Sequence, residues 1–389
     1  MILTLVVFFA VLGILVLVHE LGHFYVARKF GVKVDEFGLG LPPRIFGLYK
    51  DNFGKWKKVG LKSENTSKTI WSLNWIPLGG FVKIKGEDGG NREDEDSFIK
   101  KSVGKRMAII SAGVSMNLIL AAAIFSVLLV IGSPQVIDNQ QLMPFAKVKG
   151  TQVRVMDVLP ESPAANIGIE VGDSIISIDG QIIGSISQVQ NYLSQKADIN
   201  VDLKIERKKE IIKKEAIPGL IGETGRAGLG VALIETGIVS YPWYLAPFYG
   251  IWETARMVFG IIAGFYLIIK NLIIDQNLIG EVYGPVGIAS LVGDAARLGL
   301  IYLLQLTAVL SVIIAVINFL PFPALDGGRI FFLLIEAIRR KPVNQKIENA
   351  VHNIGFALLM LLILVVTFND IARVSSGLFG WWDKISGLF

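Results

Sequence analysis

The sequence predicts an α-helical polytopic membrane protein with about four transmembrane helices, a cytoplasmic-side β-hairpin region and an extracytoplasmic α+β domain. Three observations carry this. The 389-residue chain has a mean hydropathy of +0.55, and only 18% of it is charged, far from the balance of a soluble domain. Its apolar residues gather into runs long enough to cross a bilayer. Its basic residues gather beside those runs.

The first apolar run covers residues 2–18 and continues to Ala27 before Arg28 and Lys29 stop it. It lacks the basic start and small-residue cleavage site of a secretory signal, so 1–27 is expected to be an uncleaved transmembrane helix. A loop over 28–104 follows, then a second helix over 105–131 flanked upstream by Lys101, Lys105 and Arg106. The third helix is expected at 300–322 and the fourth at 354–370, separated by a loop and helix over 323–353 and followed by a tail over 371–389.

The loops carrying Lys33, Arg44, Lys55, Lys57, Lys58, Lys62 and Lys68, and later Arg339, Arg340, Lys341 and Lys346, face the cytoplasm by the positive-inside rule. The N-terminus and the 143–236 domain then lie outside. That domain alternates at strand period over 151–158 and 174–178, with turns at Gly172-Asp173 and Asp179-Gly180. Within 28–104, residues 69–85 are rich in β-branched and aromatic side chains around Gly79-Gly80 and read as a hairpin.

A net charge of +5 does not point to nucleic acid, because the cations flank apolar runs instead of forming an aromatic-interleaved patch. Cysteine is absent, which removes disulfides, thiolate metal ligands and thiol nucleophiles. A metal site here must use His, Asp or Glu.

Inside the first helix the chain reads His19-Glu20-Leu21-Gly22-His23. Histidines at i and i+4 share a helical face and can reach one zinc ion, while Glu20 is placed to accept a proton from an attacking water. Ionisable groups near the bilayer centre cost about 2.5–3.5 kcal/mol each, a cost a metal offsets. At 1.5 Å per residue the helix advances about 26 Å before His19, which puts the site toward the cytoplasmic edge of the hydrocarbon.

A catalytic zinc needs a further protein ligand. His352 is one candidate, although its polar neighbourhood suits an exposed histidine. Asp326 is the better one, in Asn318-Phe319-Leu320-Pro321-Phe322-Pro323-Ala324-Leu325-Asp326-Gly327-Gly328, where proline and glycine break the helix at membrane depth. His19 and Asp326 meet only if the first and third helices run in the same direction, which requires one crossing between them. The 105–131 helix supplies it. The apolar segment within 241–299, which contains Glu253 and Arg256, is therefore expected to be interfacial or re-entrant.

With HExxH in the first helix and NxxPxPxLDG in a later one, the chain resembles the bacterial site-2 proteases nearly end to end. Glu36-Phe37-Gly38-Leu39-Gly40, Pro77-Leu78-Gly79-Gly80-Phe81-Val82-Lys83, Ala112-Gly113 through Asn117, and Gly284-Pro285-Val286-Gly287-Ile288-Ala289 extend the match. Ser162-Pro163-Ala164-Ala165 and the stretch from Gly172 to Gly180 look like a single PDZ domain over 143–236. Val114 and Arg329 stand where family members usually have proline and histidine.

The resemblance implies an intramembrane zinc metalloendopeptidase of the bacterial inner membrane. One Zn2+ would be held by His19, His23 and Asp326, with Glu20 as general base. Asn318, Asn117, Pro321, Pro323, Gly79 and Gly80 would contact substrate. The hairpin has two readings, a plain cytoplasmic hairpin or an edge that pairs with unwound substrate. Expected partners are the lipid bilayer and single-pass membrane proteins, such as anti-sigma factors or remnant signal peptides. Peptide or C-terminus binding by the PDZ domain is a further expectation. The alternative is a non-enzymatic PDZ scaffold with a structural metal; no inverted repeat supports a transporter.

Overall fold

The computed structural model describes residues 2–60, 66, 68–137, 142–207, 210–221, 226–274 and 284–386, apart from 92. Side chains are described for all of these except 77, 78, 221, 226, 272 and 373–386. Lys62 and residues 387–389 of the expected tail lie outside the described residues.

In chain order the elements are α1 (Ile2–Lys29), β1 (Val34–Lys50), β2 (Trp56–Val59), β3 (Ile70–Ile84) and α2 (Val103–Ile131). There follow β4 (Ser133–Val136), β5 (Lys147–Val158), α3 (Pro163–Asn166), β6 (Ser174–Ile178), β7 (Gln181–Ile182) and α4 (Ile186–Ser194). Next come β8 (Val201–Arg207), β9 (Glu210–Ala216), β10 (Gly219–Ile221), β11 (Arg226–Gly228) and β12 (Val231–Ser240). The chain closes with α5 (Ala246–Ile274), α6 (Pro285–Leu298), α7 (Leu300–Phe319), α8 (Asp326–Arg339) and α9 (Gln345–Ser386). Two units divide it, one of Met1–Phe125 with Gly250–Phe389 and one of Ser126–Tyr249.

Five helices among the described residues are long and apolar enough to cross a membrane: Ile2–Lys29, Val103–Ile131, Ala246–Asn271, Leu300–Phe319 and Gln345–Ala372. Four correspond to the expected spans. Ala246–Asn271 is the least apolar of the five and carries the Glu253–Arg256 ion pair at 2.6 Å. The last helix starts at Gln345 rather than 354, because Asn344 Oδ1 accepts the Lys346 N–H and caps it. His352, expected in the 323–353 loop and helix ahead of the last span, therefore sits on α9 itself.

In the helical unit, Val11 and Leu15 of α1 pack with Val292 of α6 and with Leu306 and Leu310 of α7. Further along α1, Phe24 and Ala27 join Val34, Phe37 and Ile84 of the sheet, Ile109 and Ile110 of α2, and Ile330 and Leu333 of α8 in one core. That second core fixes α1, α2 and α8 around the level of the HExxH turn.

The sheet has the order β2-β1-β3. The stretch over 69–85 differs from a simple hairpin, whose arms would pair with each other. Phe37 of β1 faces both Trp71 and Val82, and Gly38 faces both Ser72 and Phe81, so β1 lies between the two arms of β3. Gly79 makes the reversal at φ +80°, a backbone state glycine adopts without steric cost.

The second unit is a sheet ordered β4-β12-β5-β6-β8-β9, with β7 on β6 and a separate β10-β11 ladder. The strands expected over 151–158 and 174–178 are β5 and β6, and both turns have left-handed glycines, Gly172 at φ +95° and Gly180 at φ +80°. Its core joins Val153, Ile175, Ile178, Val189, Leu193, Leu203 and Ile205. Ser162 Oγ accepts the Ala165 N–H at 3.2 Å and caps α3, with Pro163 in its first turn.

Candidate metal centre

The i, i+4 spacing on α1 brings His19 Nε2 and His23 Nε2 to 3.2 Å of each other. Asp326 enters from the other end of the sequence, with Oδ2 at 3.1 Å from His19 Nε2 and 3.4 Å from His23 Nε2. These three atoms could hold one metal ion. A tetrahedral zinc with ligand bonds near 2.0–2.1 Å has ligand-to-ligand edges of about 3.3 Å, so the triangle has the size zinc requires. Asp326 Oδ2 is buried and makes no hydrogen bond, which is costly unless a cation completes it.

The imidazoles are oriented from behind. His23 Nδ1 lies 2.9 Å from the Ile109 carbonyl of α2, so Nδ1 carries the proton and Nε2 presents its lone pair. His19 Nδ1 lies 3.4 Å from the Asn117 amide, whose Oδ1 is buried without a partner. Exchanging the oxygen and nitrogen of that amide, which heavy-atom positions do not distinguish, lets the amide oxygen accept from His19 Nδ1–H and frees His19 Nε2 in the same way. Asn117 is fully buried, and its backbone carbonyl accepts from Ser311 Oγ of α7 at 2.8 Å. The side chain of Asn117, for which the resemblance implies a substrate contact, thus faces His19.

Space for the centre depends on glycine. A Cβ on Gly113 of α2 would stand 2.4 Å from His23 Nε2 and 2.8 Å from His19 Nε2. One on Gly22 would meet the Ala112 carbonyl at 2.3 Å. The two helices therefore approach at glycines, and the imidazoles fit against α2 because position 113 lacks a side chain.

Asp326 opens α8, after a tight turn that packs on itself. A Cβ on Gly327 would lie 2.2 Å from the Leu320 carbonyl, and one on Gly328 2.4 Å from that of Phe322. Ala324 holds the left-handed φ of +79°. Its N–H donates to His352 Nδ1 of α9 at 2.9 Å, and a Cβ on Gly355 would meet Pro323 at 2.4 Å. His352 is not among the converging ligand atoms; with Gly355, three residues on, it braces the turn that delivers Asp326. Sequence reasoning offered His352 only as a ligand or an exposed residue.

Glu20 lies outside the three-atom cluster, half-buried. The second arm of β3 runs beside it. A Cβ on Gly80 would lie 3.7 Å from Glu20 Cγ and 3.6 Å from Val16, and one on Gly79 3.7 Å from Val16. Asn318 is half-buried in the last turn of α7, Pro321 is exposed and Pro323 lies against α9.

The chain matches the description "Peptidase family M50" over residues 7–362. A protein of Clostridium perfringens named as a zinc metalloprotease is 37% identical over 92% of this chain and 95% of its own. Another of that name from Rhizobium meliloti is 31% identical over 95% of this chain and 96% of its own. The regulator of sigma-W protease of Bacillus subtilis is 27% identical over 95% of this chain and 99% of its own. Among solved structures, a PDZ domain of a Listeria monocytogenes SdrC-like protein is 27% identical over 22% of this chain and 92% of that one, with a TM-score of 0.21. This multi-pass bacterial membrane protein belongs to peptidase family M50, the site-2 protease family, and is a zinc metalloprotease.

Proposed function

We propose that the chain hydrolyses peptide bonds within the transmembrane segments of single-pass proteins, with His19, His23 and Asp326 holding one catalytic zinc and Glu20 as the proton acceptor. The carrying observation is the convergence of three ligand atoms within 3.1–3.4 Å, from residues at opposite ends of the sequence, while the neighbouring glutamate stays out of the set. Zinc, when bound, polarises the scissile carbonyl and brings the pKa of water toward about 7. Glu20 takes the proton from the attacking water and delivers it to the departing amide nitrogen. Asn117 and the Ile109 carbonyl hold the imidazoles in the tautomer that ligates. His352 and Gly355 hold the turn of Asp326.

A helical substrate must unwind to expose its bond. The arm of β3 over 79–84, passing Glu20, offers backbone to an extended strand, and Gly79 and Gly80 let that strand approach closely. Asn318 supplies an amide at the end of α7 on the same turn system. Substrates of this kind include anti-sigma factors and remnant signal peptides, in keeping with the relative named for sigma-W regulation. The Ser126–Tyr249 unit, read as a PDZ domain, takes peptide ends and excludes bulky ectodomains.

Parity supports the topology. α1 carries its histidines toward its C-terminal end and Asp326 follows the turn just beyond the C-terminal end of α7, so the two helices run in the same direction and an odd number of spans separates them. α2 supplies one. α6, at 14 residues, is about 21 Å long and too short to span. α5 then lies at the interface, with four helices crossing, the N-terminus and PDZ unit outside, and the metal centre toward the cytoplasmic face.

The test is cleavage of a single-pass substrate by the purified protein, its Glu20→Gln variant and a zinc-stripped sample, with zinc measured on each. Glu20→Gln should retain zinc and lose at least 100-fold in rate, on the order of a general base's contribution. Full cleavage by that variant would refute the assignment.

A further inference from the structure

Arg28 and Lys29 stand in the last turn of α1, the position at which cations flank a membrane span. Beside it the sheet forms a concavity of about 460 Å³, lined by Arg28, Lys33, Lys50 and Lys68 together with Trp56 and Trp71. One carboxylate, Asp51, lies in the same wall. Its Oδ1 accepts the Phe53 and Lys55 N–H groups of its own turn, each at 2.9 Å, and its Oδ2 faces Lys57 at 3.7 Å. Lys33 is used internally, on Asp35 at 3.2 Å and on the Thr66 carbonyl at 2.9 Å. Arg28, Lys50 and Lys68 have no carboxylate partner among the described residues. Among the described residues, three cations without a carboxylate partner line one hollow.

The aromatic walls suit a lipid rather than a soluble anion. Trp71 is fixed by ring contacts with Phe24 at 5.2 Å and Phe37 at 5.0 Å. The Arg28 guanidinium lies over the same Phe24 ring, 5.5 Å from its centroid. Trp56 pairs directly across the ladder from Lys50 and is 62% exposed, and Phe53 at the tip of that hairpin is 89% exposed. Indole rings beside cations at the end of a membrane span are the composition of a headgroup-level anchor.

We infer that this hollow binds the phosphodiester headgroup of one anionic glycerophospholipid, with Arg28, Lys50 and Lys68 on the phosphate and Trp56, Trp71 and Phe53 at the glycerol and upper acyl level. The lipid docks the sheet against the membrane surface. The site is separate from the metal centre and does not depend on the assignment of its ligands.

The test uses the full-length protein, stripped of lipid in detergent, and native mass spectrometry with added phosphatidylglycerol or phosphatidylcholine of identical acyl chains. The wild type should favour phosphatidylglycerol at least tenfold. The Lys50→Glu/Lys68→Glu protein should lose that preference, at about fivefold or more per charge, and Lys50→Arg/Lys68→Arg should keep it. Unchanged zinc content in each variant excludes misfolding as the cause. Equal binding of the two lipids by the wild type, or an unaltered preference in the charge-reversed variant, would overturn the proposal. So would full competition by glycerophosphoglycerol without acyl chains, or preferential binding of a polyglutamate peptide, which would make the hollow a site for soluble anions.

Discussion

At the scale of single residues, the centre is built as much by a missing side chain as by its ligands. Gly113 leaves the volume that the two imidazole nitrogens face, and Gly22 lets α1 lie against the Ala112 carbonyl of α2. Gly113→Ala should therefore abolish zinc retention, whereas Gly13→Ala, with nothing within 4 Å of the added Cβ, should leave it intact; metal analysis of both purified proteins decides. The candidate ligands are legible in sequence, His19 and His23 through the spacing of HExxH and Asp326 through the helix-breaking NxxPxPxLDG stretch that the family resemblance singles out. Gly113, the Asn117 contact with His19 and the His352 brace are not. Each depends on a contact between segments apart in sequence, 98 residues for Asn117 with His19 and 28 for Ala324 with His352.

Among elements, β1 shows why local pattern understates a strand. Gly38, Gly40, Pro42 and Pro43 argue against a regular strand there, yet pairing with both arms of β3 holds it extended. The 345–353 stretch likewise reads as a polar connection, and becomes the first turns of α9 because Asn344 caps them. In the second unit the turn signals at Gly172 and Gly180 suffice, but the ion cluster that locks β6 to β8 joins distant residues. Arg207 donates to both oxygens of Asp173 at 2.7 Å each and to Glu170 and the Gly168 carbonyl. Burial works against the charge of Asp173, but the Arg207 guanidinium and the Glu170 N–H outweigh it and hold its carboxyl below the usual range. A depressed folded-state pKa stabilises above the unfolded value, about 3.9, and that stability is lost as pH falls through the folded value. Arg207→Ala should accordingly speed amide exchange in β6 and β8 at pH 7, measured on the full chain. The difference from wild type should shrink as the pH is lowered below about 4.

For the whole molecule, the fold is set by how many times the chain crosses the bilayer. Five helices among the described residues are long and apolar enough to span, and the proposed four-span topology follows from the meeting of His19 with Asp326. Single cysteines placed at either end of α5, in a protein with no native cysteine, should react with a membrane-impermeant reagent from the same side; labelling from opposite sides would require a different path to α7. The account rests finally on the identity of the zinc ligands, which X-ray absorption at the zinc edge reads directly in the full-length protein. With three histidines in the chain, the prediction is two imidazoles and a carboxylate in the wild type, unchanged in His352→Asn. The carboxylate should be lost in Asp326→Ala. A third imidazole, or a spectrum indifferent to Asp326, would contradict it.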